Sequence, residues 1–278
     1  MIDIYYKLCE QCSKVTTEKY STSFSSAIRL LHADIRTPIF NIYGFVRFAD
    51  EIVDTFHAHD KATLLAEFKK DTYTAIERKI SLNPILQSFQ TTVNGYNIAH
   101  DLIEAFFNSM EMDLTNVSYD GEGYQTYIYG SAEVVGLMCL YIFCNGNNEL
   151  YQSLKPAAQS LGAAFQKVNF LRDVKADYEL LSRTYFPNVD FSQFNPQMKL
   201  QIEDEIAQDF KDAYKGIVLL PAKARFGVYV AYKYYLSLFK KIQKTNAQQI
   251  LEQRISIPNY GKAYIVAKAS LRSQLNIL

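Results

Sequence analysis

An all-α fold is the class this sequence predicts, and three features predict it. Apolar residues recur with the 3.6-residue period of a helix along nearly the whole chain. The two-residue alternation of a strand is almost absent. Breaks between periodic segments are short Asn, Asp, Gly and Pro clusters, with no repeat, low-complexity tract or long linker, so the 278 residues read as one domain, 1–278.

Each element has its own signal. Apolar periodicity predicts helices over 3–15 and 22–34. Thr37 followed by Pro38 reads as an N-cap with proline at the first helical position, opening a helix to about 56. Asp60 caps 61–80, and Asn83-Pro84 opens 84–92, which Asn94-Gly95 ends. Helices over 97–113, 122–145 and 148–182 follow, broken at Asp120-Gly121 and Asn145-Gly146. Breaks at Tyr185-Phe186-Pro187, Asn195-Pro196, Leu220-Pro221 and Ile257-Pro258 set off 197–219, 221–245 and 259–275.

Composition supports a large buried core: 49% of residues are hydrophobic, including 21 Tyr and 18 Phe. At 21% charged residues the chain is not of the disordered class. The zero net charge is uneven: from residue 213 onward there are eleven Lys or Arg and one acid, Glu252. That bias reads as a solvated basic face, a surface for anionic lipid, or basic groups closing over a polyanionic ligand. No nucleic-acid-binding pattern accompanies it. Cys9, Cys12, Cys139 and Cys144 lack metal-ribbon spacing and are expected to be reduced. Met1-Ile2-Asp3-Ile4 does not look like a secretory leader, and the apolar run from Val134 to Cys144 is shorter than a bilayer span. A cytoplasmic protein is expected, with peripheral contact at the inner face of the membrane as an extension.

Two acidic clusters carry the chemistry. Asp50 and Asp54 share one helix face; Asn169, Asp173 and Asp177 share another, because residues four apart stack on a helix. Like charges so placed repel by roughly 0.2–0.5 kcal/mol per pair unless a cation intervenes. Oxygen donors without nearby His or Cys suit Mg²⁺ shared with substrate phosphates. Arg47, three residues before Asp50, can reach the same carboxylate face and a phosphate oxygen. Gln166 lies one turn before Asn169, and Arg172 sits beside Asp173. A solvated Arg–Asp network explains the first cluster equally well on its own. It explains the second less well, because Phe165, Val168, Phe170, Leu171 and Val174 surround those groups and burying uncompensated carboxylates is costly.

These residues resemble the squalene/phytoene synthase family. Tyr43, Arg47, Asp50 and Asp54 match the spacing of its first Asp motif, and Asn169, Arg172, Asp173 and Asp177 that of its second. Tyr20-Ser21-Thr22-Ser23-Phe24 resembles its N-terminal phosphate-contacting motif, where the first residue is usually His. Residues 127–138 resemble its central helix, and Arg183-Thr184-Tyr185-Phe186-Pro187 its loop after the second motif. Tyr235, Arg254 and Lys262 fall where the family places a Tyr and two basic residues. Glu133 and Val134 depart from the Gly-Thr of many members.

The resemblance implies an isoprenoid synthase-type helical bundle around a central apolar cavity. It implies a prenyltransferase joining two isoprenoid diphosphates head to head through a cyclopropyl diphosphate intermediate. Asp50, Asp54, Asn169, Asp173 and Asp177 would hold Mg²⁺, with Mn²⁺ as the alternative. Ser21, Ser23, Arg47, Arg172, Arg254 and Lys262 would grip phosphate oxygens, and Gln166 and Tyr185 would complete the substrate site. Tyr43, Tyr129, Phe24, Phe45 and Tyr235 would wall the allylic cation. The Met112-Asp113-Leu114 stretch and residues 127–138 resemble bacterial phytoene synthases more than squalene synthases. The expected reaction is phytoene synthesis from two geranylgeranyl diphosphates, in carotenoid biosynthesis. Squalene or dehydrosqualene synthesis from farnesyl diphosphate is second, and NADPH enters only for squalene. A class I terpene cyclase would carry Ser or Thr and then Glu in place of Asp173 and Asp177. A non-catalytic scaffold relative would have lost Asp ligands, and none is lost. A monomer is expected.

Overall fold

The computed structural model describes residues 1–115, 119–181, 185–187 and 194–274; at 176–181, 259, 273 and 274 it describes the backbone alone. The described residues form α1 (Ile2–Tyr20), α2 (Thr22–Ile28), α3 (Ala33–Asp54), α4 (Lys61–Arg78), α5 (Pro84–Tyr96), α6 (His100–Thr115) and α7 (Gly121–Ile128). A π-helical turn (Tyr129–Glu133) follows, then α8 (Val134–Cys144), α9 (Asn148–Leu181), α10 (Pro196–Ile217), α11 (Ala222–Lys244), α12 (Ala247–Glu252) and α13 (Asn259–Gln274). No strand occurs among the described residues. The predicted all-α class is the observed one.

Local chemistry sets most boundaries. Asp60 accepts the Thr63 N–H at 3.1 Å, and Asn83 accepts that of Ile85 at 3.0 Å with Pro84 behind it. Asn195-Pro196 repeats the device at α10. Several boundaries differ from the sequence expectation: α1 runs on to Tyr20 rather than ending at 15, and three others shift for identifiable reasons. The Thr37-Pro38 pair lies inside α3, which His32 caps through the Asp34 N–H. Burial of Ile35 holds the extra turn, and near a helix start Pro38 sacrifices only one hydrogen bond. The helix expected over 22–34 stops at Ile28, where the chain turns and the His32 N–H bonds to the Lys223 carbonyl at 2.9 Å. Asn94-Gly95 does not break α5; the left-handed Asn97 (φ 51°) ends it.

Two buried clusters form the core. One joins α3, α4, α5, α6 and α8 around Phe45, whose ring stacks on Phe89 at 3.7 Å between centroids. The other joins α9, α10 and α11 around Val168, Phe210 and Tyr229. All four cysteines are free thiols. Helix α7, the π turn and α8 together make an apolar run, Gly121–Cys144, long enough to cross a membrane by length and composition. That is longer than the stretch expected from sequence, and half of it is buried inside the bundle.

Two glycines fix this central helix in place. A Cβ on Gly130 would lie 2.4 Å from the Ala105 carbonyl oxygen of α6. One on Gly162 of α9 would lie 2.8 Å from that of Ala132 in the π turn. The π turn is thus held between two backbones that approach it only where a side chain is missing.

Candidate active site

A cavity of about 560 Å³ runs between α2, α3, α8, α9, α10 and α11. At one end α3 contributes Tyr43, Arg47, Asp50 and Asp54, each a turn apart, and α9 contributes Gln166, Asn169, Arg172 and Asp173. Aromatic rings join the two walls. Phe24 meets Tyr43 at 5.7 Å, Phe165 at 6.1 Å and Tyr235 at 6.0 Å, and Phe165 stacks on Tyr235 at 3.9 Å. The rest of the lining is apolar and small, with Ala132, Gly136, Ala158, Gly162 and Ala231 among it.

The walls differ in electrostatics. On α3, Arg47 binds Glu51 tightly and stands 3.7 Å from Asp50. Its Nε is buried without a partner, and its guanidinium lies 4.3 Å over the ring of Tyr20. Burial, then the charge of Asp54, pushes the Asp50 carboxyl up to about 8. Burial, then Asp50, pushes the Tyr43 phenol up to about 12. On α9, Arg172 Nε donates to both Asp173 oxygens, at 3.1 and 3.0 Å, and Arg254 Nε adds a bond at 2.7 Å. The Tyr235 hydroxyl donates to Asn169 at 3.3 Å.

Most expected site residues line this cavity: Ser21, Phe24, Tyr43, Arg47, Asp50, Asp54, Gln166, Asn169, Arg172, Asp173, Tyr185, Tyr235 and Arg254. Ser21 also caps α2, accepting the Phe24 N–H at 3.2 Å. Tyr20, where the family has His, lines the mouth. Ser23 and Lys262 are not lining residues, although Lys262 donates to Thr22 at 2.9 Å beside Ser21. Phe45 is not a wall residue; it is fully buried in the first core cluster. The side chain of Asp177, and Arg183 and Thr184 entirely, lie outside the described residues.

Tyr129 also misses the cavity and packs on the first core cluster. Helix phase explains this: Tyr129 lies two residues, about 200°, from Tyr127, whereas Tyr127 and Ser131 are four apart and share a face. Tyr127 and Ser131 therefore face the cavity. Tyr127 donates to the buried Asp113 at 2.9 Å, and burial with the Asp113 charge raises its phenol well above the ordinary value. Ser131 accepts from Gln166 at 3.3 Å and donates to the Tyr127 carbonyl at 2.7 Å. Tyr127, Ser131 and Asp113 were absent from the sequence-derived set. The four-residue spacing of Tyr127 and Ser131 was the signal that could have found them. Glu133 points out of the cavity and accepts from Gln159 at 2.8 Å, so its departure from the family pattern adds no bulk to the lining.

The squalene/phytoene synthase family model matches residues 17–261. The chain belongs to the squalene/phytoene synthase family. It is thereby an enzyme of the prenyltransferase type. A phytoene synthase of Arthrospira platensis is 25% identical over 97% of this chain and 94% of its own length. The 4,4'-diapophytoene synthase of Staphylococcus haemolyticus is 28% identical over 73% of this chain and 68% of its own. The crystal structure of a dehydrosqualene synthase in complex with ligand superposes with a TM-score of 0.81 at 18% identity, over 97% of this chain and 98% of that one. The squalene synthase HpnC from Alicyclobacillus acidocaldarius gives 0.73 at 18%, over 86% and 93%. These two likenesses establish the shared fold. Family membership gives the Asp-bearing end of the cavity its context: members act on isoprenoid diphosphates.

Proposed function

We propose that this family member is a phytoene synthase, joining two geranylgeranyl diphosphates head to head and releasing diphosphate. The observation that carries the reading is the pairing of Asp50 and Asp54 with Asn169 and Asp173 at the polar end of an otherwise apolar cavity. Relatives matched over 97% of this chain include phytoene synthases of Arthrospira platensis and Synechocystis, at 25% and 26% identity.

A divalent cation fits this donor set. Among the described residues each wall brings two oxygen donors to the polar end, Asp50 and Asp54 on α3 and Asn169 and Asp173 on α9. Mg²⁺ characteristically takes one or two carboxylates and completes its shell with phosphate oxygens and water. The Asp50 carboxyl, held at about 8 by burial and Asp54, is a site short of positive charge. When bound, Mg²⁺ or Mn²⁺ supplies the Lewis acidity that lets diphosphate leave.

The chain's own groups do the rest. Arg47, Arg172 and Arg254 present N–H donors to phosphate oxygens, with the buried Arg47 Nε still unsatisfied. Phe24, Tyr43, Phe165 and Tyr235 turn π faces toward an allylic cation and exclude water from it. Tyr127 holds its proton across the physiological range and directs it to Asp113, leaving that end of the cavity without a free phenolate.

A farnesyl-based reaction is the second reading, favoured by the diapophytoene synthase relative and the dehydrosqualene synthase fold. The test is to incubate purified protein and Mg²⁺ with farnesyl or geranylgeranyl diphosphate, with and without NADPH, and to identify the hydrocarbon. Phytoene from the C20 substrate without NADPH is the expected product. A C30 product alone replaces this reading with the second, and only a single-unit alcohol in every tube defeats both.

A further inference from the structure

Leu140, Phe143, Ile217 and Leu220 also line the cavity, but between α9 and α10 its end away from the carboxylates is closed by very little side-chain matter. On α9, Leu154 lines this end, nineteen residues before Asp173 and so about 28 Å along the helix. Beyond it, between α9 and α10, lies a second cavity of about 380 Å³. Leu154, Ala157 and Gly216 line both. A Cβ on Gly216 would stand 2.4 Å from the Ala157 Cβ and 3.6 Å from Leu154 Cδ2, so α10 reaches α9 only because position 216 has no side chain. The partition is one isobutyl group, one methyl group and bare backbone. Leu154, 2% exposed, is its only sizeable part. On the outer side, Pro156 and Leu219 give the second cavity an apolar strip, while Ser153, Ser160, Asp212 and Lys215 form its polar rim. Leu219 is 64% exposed, a large apolar side chain that this chain's own packing leaves uncovered.

We propose that the outer cavity is an overflow subsite for the distal end of a prenyl tail, and that Leu154 is the specificity-determining residue that closes it. The proposal deepens the prenyltransferase reading and rests on it. A tail lying along α9 from the carboxylates meets Leu154 last. Truncating Leu154 to Ala joins the two cavities and extends the apolar path without touching the polar end. Enlarging it to Phe shortens the inner cavity from the same point. Gly216 and Ala157 cannot serve as the adjustable element, because any added atom there meets the opposing helix.

The experiment compares wild type, Leu154→Ala and Leu154→Phe, each checked for an intact helical spectrum. It uses C15, C20 and C25 all-trans prenyl diphosphates with Mg²⁺. Preferences are read as ratios of kcat/KM, so a uniform loss of active protein cancels. Leu154→Ala should raise the C25-to-C20 ratio about tenfold, the effect of burying roughly two more methylenes. Leu154→Phe should lower the C20-to-C15 ratio by a similar factor. The same ratios are read independently as affinities for non-ionising thiolodiphosphate analogues, by calorimetry. Unchanged ratios in either folded variant overturn the proposal. Should the wild type release no diphosphate from any substrate, the enzyme reading fails separately, and the analogue affinities still decide whether Leu154 gates tail length.

Discussion

The two walls of the polar end carry similar ligands in opposite electrostatic states. On α3, Asp50 and Asp54 share a helix face, and their arginine divides itself between Asp50 and Glu51. The outcome is a carboxyl held up at about 8. On α9, Asp173 is already clamped by two arginines from different parts of the chain, Arg172 beside it and Arg254 from the segment after α12. One wall lacks positive charge, and on the other the described carboxylate already has two arginines. On the proposed reading this is a division of labour: the α3 wall would recruit the cation, and the α9 wall would supply arginines that turn from Asp173 to phosphate. Arg254 is suited to that, its side chain being 68% exposed against 22% for Arg172.

The sharpest way to break this comparison is to neutralise each wall in turn. Asp50→Asn should lower kcat/KM by about 10³-fold, as expected when a main electrostatic element of a leaving-group site is removed. Asp173→Asn should cost less, about 10²-fold, because its arginines stay to meet the phosphates. Equal losses, measured by diphosphate release, would erase the distinction between walls. Next in size is the pair of tyrosines on opposite faces of the central helix, Tyr127 and Tyr129. Tyr127→Phe should cost about 30-fold, since it removes the shorter tyrosine hydrogen bond to the buried Asp113. Tyr129→Phe, off the cavity, should cost less than about twofold. Arg254→Gln should raise KM about tenfold and leave kcat within about twofold, as suits a mobile phosphate contact.

How far the sequence foretold these features depends on the range of the forces involved. Helix class and most boundaries follow from local periodicity and caps such as Asp60 and Asn83, so they were legible. The Asp-bearing faces were legible for the same reason, since four-residue spacing fixes a face on any regular helix. Tyr127 was not, because which face of that helix meets the cavity is set by its packing against α6 and α9, at Gly130 and Gly162. Pro38 misled for a related reason: burial of Ile35 and a cap at His32 outweighed a local stop signal. The short α12, capped by Asn246 at the Gln249 N–H, was not anticipated at all. Phe45 and Phe24 are chemically alike, and only tertiary packing assigns one to the core and the other to the cavity.

A last prediction concerns pH. The Asp50 carboxyl titrates in the folded, metal-free protein well above its ordinary 3.8. Its contribution to stability is therefore fully present below about pH 4 and is lost as pH rises through about 8. Mg²⁺ competes with that proton, so its apparent affinity should strengthen by up to about 90-fold between pH 6 and pH 9. The gain in Tm on adding Mg²⁺ should be larger at pH 9. Equal gains at both pH values would show that Asp50 is not a ligand.

The central claim is that both walls grip one cation–diphosphate cluster. A double-mutant cycle reads this directly: calorimetric affinity of a prenyl thiolodiphosphate with Mg²⁺ for wild type, Asp50→Asn, Asp173→Asn and the double variant. A shared cluster predicts that the double variant loses far less than the sum of the single losses, with a coupling above about 1 kcal/mol. Losses that add to within about 0.5 kcal/mol would place the two carboxylates on independent sites and contradict the account.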